Sequence, residues 1–168
     1  MALRDIIKYG HPTLRIKTKD LEQIDDDIRN LADDMIDTMI TAEGIGLAAP
    51  QVNQSISLLV VNNTFIEDGE VPKAYINPVI KETGGNCVLE EGCLSIPDIR
   101  EDVERPETIT IKYLDIDGVE REERCNGMLA RVLLHEIDHL NGVLFVDRIS
   151  PMKRKLLSKK LKKIASES

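Results

Sequence analysis

The stretch Asn126–Gly142 reads NGMLARVLLHEIDHLNG, and its pattern decides how the rest of the chain is read. Leu129, Leu133, Ile137 and Leu140 form one helical stripe, and Met128, Val132 and Leu134 cover much of the remaining surface. A helix that is apolar on most sides is a buried one. Asn126 stands at the helix start and Gly142 at its stop. Inside this helix lie His135, Glu136 and His139, which would be costly there unless paired or coordinated.

The spacing His135-Glu136-Ile137-Asp138-His139 is the H-E-x-x-H pattern of a divalent metal site. Positions i and i+4 share a helix face about 6 Å apart along the axis, so both imidazoles can bind one ion. Glu136, about 100° round the helix, reaches a bound water without being a ligand itself. The chemistry implied is hydrolysis.

Around this helix the chain changes grammar twice. Ile24, Ile28, Leu31, Met35 and Met39 follow helical steps across Ile24–Ala42, with Asp25, Asp26 and Asp27 at the start and Gly44 as the expected stop. From Ser55 to about Arg124 come short β-branched runs: Ser57–Val61, Tyr75–Ile80 and Thr108–Tyr113, the last paired with Val119–Arg124 through a turn at Asp117-Gly118. A terminal helix is expected from Pro151 to about Ala165. The predicted fold is α+β: antiparallel sheets packed around a buried metal-binding helix, with an N-terminal amphipathic helix and a C-terminal helix. Residues 1–150 read as one catalytic domain, and 151–168 as a basic helix of that same domain.

Composition sets the class. With 168 residues, 42% hydrophobic and 3% aromatic, the chain fits one globular unit with an aliphatic core. No apolar run approaches membrane-span length and the first residues lack a signal-like apolar region, so the expected location is cytoplasmic. Cys87, Cys93 and Cys125 cannot all pair and give no zinc-ribbon spacing, which suits a reducing compartment. The net charge of −8 is uneven: residues 151–168 hold 7 of the 22 Lys+Arg but one of the 30 acids, leaving the tail at +6 and the body at −14.

A catalytic metal usually has three protein ligands and one open position. Phe145 stands where the H-E-x-x-H-x-x-G-x-x-H proteases need a third histidine, which excludes that class despite Gly142. Downstream, only Glu167 and Asp147 remain as acids of interest. Upstream, Cys93 sits in Glu-Glu-Gly-Cys-Leu-Ser-Ile-Pro, where a thiolate would suit zinc or ferrous iron. A small buried hydrophobe is the other reading of Cys93, and Asp147 stays open as a ligand. Glu43–Gln51, EGIGLAAPQ, is either a helix stop with a tight turn or a close backbone approach to a substrate, with Gln51 offering an amide donor to an oxyanion.

Three segments, Gly44–Gln51 (GIGLAAPQ), Glu91–Ser95 (EGCLS) and His135–His139 (HEIDH), resemble in order and spacing the signature motifs of the peptide deformylases, and Gly10–Arg15 (GHPTLR) and the chain length agree. The resemblance covers essentially the whole chain. It implies a hydrolase that removes the formyl group from the N-terminal methionine of nascent polypeptides and releases formate. Cys93, His135 and His139 would be ligands of one divalent metal, typically Fe²⁺, with Zn²⁺ and other divalent ions also found in the family. Glu136 would be the general acid/base, and Gln51 and the Leu94 N–H the oxyanion donors. Ile45, Gly46 and Gly92 would hold the substrate backbone as an added strand, and Met128, Val132 and Arg100 would surround its methionine. The direction of Arg131 is left open.

The C-terminal helix carries a stripe of Met152, Leu156, Leu157, Leu161 and Ile164 ringed by Lys and Arg. It reads as docked on the acidic body or, by the resemblance, as a ribosome contact. The alternatives to a deformylase are a metalloprotease built on the same helix and a non-catalytic metal-binding, ribosome-associated module.

Overall fold

The computed structural model describes residues 2–167. The first regular helix, α1 (Asp26–Thr41), begins where the Asp25 side chain accepts a hydrogen bond from the Ile28 N–H, with Asp26 and Asp27 favourably placed at the positive helix end. Its end differs from the expected glycine stop. Glu43 takes the left-handed conformation, φ 60°, while the Gly44 N–H returns to the Met39 carbonyl and the Glu43 N–H to that of Ile40. Gly44 instead leaves room for the end of the Leu94 side chain, whose Cδ1 would lie 2.8 Å from a Cβ there and would have to move aside.

Among the described residues seven strands follow: β1 (Gly46–Ala48), β2 (Leu58–Val61), β3 (Lys73–Gly84), β4 (Cys87–Cys93), β5 (Ile96–Arg105), β6 (Thr108–Leu114) and β7 (Glu120–Asn126). They form an antiparallel five-stranded sheet in the order β1-β2-β3-β6-β7 and a separate ribbon β4-β5. The Thr108 and Val119 runs pair as expected, although the turn spans Asp115–Gly118, held by Asp115 Oδ1 accepting from the N–H groups of Asp117 and Val119. Strand β3 is longer than the Tyr75–Ile80 run and slips register beside Pro78, which has no N–H to give the ladder.

Side-chain alternation explains why the sheet is covered on both faces. In β2, Leu59 and Val61 join the cluster around α2 (Gly127–Leu140), whereas Leu58 and Val60 join the cluster around α1. Every residue of α2 from Ala130 to Leu140 is buried, as its all-round apolar pattern requires. Asn126 occupies the position before α2, but its side chain makes no capping bond.

A third cluster joins the ribbon to the C-terminus. Helix α3 (Pro151–Ser166), started by the Ser150 side chain accepting from the Lys153 N–H, places Leu157, Leu161 and Ile164 against Ile96, Ile99, Val103, Phe145 and Val146. Met152 and Leu156, at 75% and 77% exposure, point away from it. The stripe read from sequence is thus split between two faces.

Candidate metal centre

Helix α2, the β4–β5 hairpin and the segment around Gln51 converge on one cavity of about 550 Å³. His135 and His139 sit on one face of α2, with ring centroids 5.1 Å apart. Cys93 ends β4, and the two-residue turn Leu94-Ser95 begins directly after it. The thiol of Cys93 and one ring nitrogen from each histidine lie within 4.8 Å of one another, and Cys93 Sγ is 3.3 Å from His139 Nε2. Asp147 stands apart from this group, accepting hydrogen bonds from Arg15 and Arg154.

A carboxylate orients the His135 ring, whereas His139 Nδ1 has no hydrogen-bond partner among the described residues. His135 Nδ1 lies 2.8 Å from Glu91 Oε1. Burial opposes ionisation of Glu91, but His135 and Arg105 outweigh it and hold its carboxyl well below the usual carboxylate range. An ionised carboxylate only accepts, so Nδ1 carries the proton and Nε2 is left to face the cluster. Burial opposes a charge on His135 as well, yet Glu136, Cys93 and Glu91 raise its affinity for a proton. Surroundings that draw a proton to this ring draw a cation too. Burial and the neighbouring His135 keep His139 neutral, the form that ligates. Phe145 stacks on His135 at 6.1 Å, so the residue that breaks the longer protease pattern packs against the site.

Glu136 is 4% exposed, its Oε2 is 4.0 Å from His135 Nε2, and its Oε1 has no hydrogen-bond partner among the described residues. Burial pushes its carboxyl up to about 7, a value suited to exchanging a proton near neutrality. A Cβ on Gly46 would lie 2.7 Å from Glu136 Oε2 and 2.8 Å from Val132 Cγ1, so glycine is what lets β1 pass so close.

The Gln51 amide is held at both ends. Its Oε1 accepts from the Ala48 N–H at 3.0 Å, and its Nε2 donates to Ser95 Oγ at 3.1 Å and points toward Cys93 Sγ at 3.5 Å. Gln51, Cys93, Leu94, His135 and Glu136 line the cavity together with Ile45, Gly46, Gly92, Arg100, Met128 and Val132. His139 lies behind this lining, 1% exposed. Arg100 pairs with Glu90 at the exposed rim, and Gly92 leaves room for the Arg100 side chain, 2.7 Å from where a Cβ would stand. Arg131 turns its guanidinium into the ribbon, donating to Glu91 and to the carbonyls of Val103 and Cys87.

A buried charge network, not foreseen from sequence, backs the cluster. Arg105 donates to Glu91 at 2.6 and 2.9 Å and to Asp138 at 2.8 Å, and Asp138 also accepts from Arg148. Two signals could have found it: Asp138 is an acid inside a buried helix, and alternation along β5 turns Arg105 inward with Val103. One thiol and two imidazoles, beside a buried unpartnered carboxylate oxygen, are a donor set that fits a divalent cation.

A family model of polypeptide deformylases matches residues 3–155. The chain is 46% identical over 168 residues to a peptide deformylase of Mesorhizobium japonicum, covering 99% of this chain and 96% of that one. Its fold superposes on the crystal structure of a peptide deformylase from Legionella pneumophila with a TM-score of 0.89 and 42% identity, covering 96% and 95% of the two chains. A peptide deformylase from Synechococcus elongatus in complex with actinonin gives a TM-score of 0.87 and 42% identity, over 94% of this chain and 87% of that one.

Proposed function

The chain belongs to the polypeptide deformylase family, metal-dependent hydrolases that remove the formyl group from N-terminal methionine, and on that premise we propose how its residues divide the work. Cys93, His135 and His139 hold one divalent cation. The observation that carries this assignment is the approach of their donor atoms to within 4.8 Å of one another beside the buried Glu136. The cation is Fe²⁺, with Zn²⁺ the alternative for the same thiolate and imidazole donors. When bound, it supplies Lewis acidity that makes water nucleophilic at neutral pH and polarises the formyl carbonyl.

The remaining chemistry belongs to side chains and backbone. Glu136 takes a proton from the attacking water and returns it to the leaving amine nitrogen as the formyl C–N bond breaks, giving formate and a free N-terminus. Gln51 Nε2 and the Leu94 N–H donate to the oxygen as it gains negative charge, where one such donor contributes about 2.7–4 kcal/mol to lowering the barrier. Strand β1 is an edge strand, which leaves the outer side of Ile45 and Gly46 for a substrate backbone to add to the sheet opposite Gly92. Met128, Val132 and Arg100 enclose the methionine side chain.

No helix among the described residues is long and apolar enough to cross a membrane. We propose a cytoplasmic location and substrates that are nascent chains. Residues 1–150 and α3 make one domain, since α3 shares the cluster that contains Ile96, Ile99 and Phe145. The outward face of α3, with exposed Leu156, Lys159, Lys160, Lys162 and Lys163, is the side available to a ribosome. Because the inward face is core, the test is charge reversal at Lys159 and Lys162, not truncation; salt-dependent ribosome binding should weaken while activity on short peptides persists.

Formate release from a formyl-methionyl peptide, measured anaerobically with metal analysis of the same sample, tests the assignment. Turnover with iron and loss of activity in air are expected. Cleavage at internal peptide bonds without formate would contradict the reaction, and an air-stable zinc enzyme would contradict iron.

A further inference from the structure

The N-terminal segment Ile7–Tyr9 straps together the two pieces of chain that carry the oxyanion donors. The Ile7 N–H donates to the Gln51 carbonyl at 2.8 Å, and the Tyr9 N–H donates to the Ser95 carbonyl at 2.8 Å. Between them, Lys8 Nζ donates to the carbonyl of Leu94 at 3.2 Å. On the far side the same two pieces meet again through Gln51 Nε2 and Ser95 Oγ.

Leu94 needs such a restraint. It is the first residue of a two-residue turn, outside the β4–β5 ladder, whose last pair is Cys93 with Ile96. The ladder fixes Cys93 but leaves the peptide planes of the turn to be set by local contacts. The Leu94 N–H lies in the peptide plane before its Cα and the carbonyl in the plane after it. With Cys93 held in the ladder and the Leu94 carbonyl pinned, the plane that bears the N–H can turn only by coupled changes in Cys93 ψ and Leu94 φ, which sterics confine. A bond from an ammonium to a carbonyl is charge-assisted and stronger than one between neutral groups, so Lys8 is suited to resist rotation of this turn.

We propose that Lys8 is a positioning residue for the reaction: through the Leu94 carbonyl it keeps the Leu94 N–H aimed at the developing oxyanion, in register with Gln51. This rests on the reading in which Gln51 and Leu94 hold that oxygen. Lys8 touches neither substrate nor cation in this role. Its contribution therefore belongs to the transition state and enters kcat while leaving KM alone.

The test compares wild type, Lys8→Met, Lys8→Arg and Gln51→Ala as metal-loaded enzymes on a formyl-methionyl peptide, with metal content and thermal midpoint measured on each. Lys8→Met should lose about tenfold in kcat, less than the loss of a whole donor, at unchanged KM, metal content and midpoint. Lys8→Arg, which keeps a cationic donor, should recover most of the rate. A Lys8→Met enzyme with wild-type kcat, or one whose loss follows metal content or melting, overturns the proposal. Gln51→Ala separates the two levels. If it lowers kcat while Lys8→Met does not, only the role of Lys8 fails; if it leaves kcat unchanged, the oxyanion reading fails and the role of Lys8 with it.

Discussion

Glu91 Oε1 lies 2.8 Å from His135 Nδ1, and the same carboxylate accepts from both Arg105 and Arg131. One side chain thus sets the tautomer of a proposed ligand and balances two buried guanidinium groups. Glu91→Ala should lower metal affinity by about 10–100-fold, read by competition with a chelator. It should also cost about 3–5 kcal/mol of stability, read by denaturant unfolding, because the buried Arg131 loses its carboxylate partner and Arg105 is left with Asp138 alone. Unchanged metal affinity would mean that His135 is oriented by packing alone.

Glu136→Gln keeps the shape of the side chain and removes its ability to take a proton. Turnover should fall by about 10²–10⁴-fold or more while metal content stays at the wild-type level. Wild-type turnover would remove Glu136 from the mechanism.

Gly46→Ala puts a methyl group 2.7 Å from Glu136 Oε2 and 2.8 Å from Val132 Cγ1. The carboxylate or the strand must shift, so kcat and KM should both worsen, while metal content is retained because Gly46 is not among the clustered donors. Unaltered kinetics would show that β1 is not the strand along which the substrate lies.

Asp147 supplies a pH dependence. Burial works against its charge, but Arg15, the Leu144 N–H and Arg154 outweigh this and lower its affinity for a proton. A carboxyl depressed in the folded state adds stability above its unfolded value and loses that contribution as pH falls through the folded value. Asp147→Asn should therefore lower stability at neutral pH and flatten the acid limb of unfolding, read from denaturation midpoints between about pH 2 and 6. The variant should keep its metal; loss of metal would return Asp147 to the ligand set.

The parts of this molecule legible in its sequence are those where one local pattern has one physical solution. A helix apolar on nearly every side had to be buried, so α2 and its inward histidines could be placed before any contact was known. Strand β5 was harder: Asp98, Arg100, Glu101, Asp102 and Glu104 make Ile96–Arg105 look like a solvated loop, although Ile96, Ile99, Val103 and Arg105 point inward. The stop of α1 was misread because glycine is the usual left-handed residue, whereas here Glu43 takes that conformation and Gly44 makes room for Leu94. The network from His135 through Glu91 and Arg105 to Asp138 is only partly legible, for a different reason. Glu91 and Arg105 belong to one hairpin, β4–β5, but His135 and Asp138 stand on α2, and a single sequence hints that Asp138 and Arg105 turn inward without saying which buried acid meets which arginine.

The central claim is that Cys93, His135 and His139 together hold the cation on which formyl hydrolysis depends. Its most direct test is metal bound per chain, with formate release, for wild type and Cys93→Ala prepared side by side without oxygen. One metal per wild-type chain with turnover, and little metal or formate from the folded variant, is the predicted result. A Cys93→Ala protein that keeps one metal per chain would contradict the account.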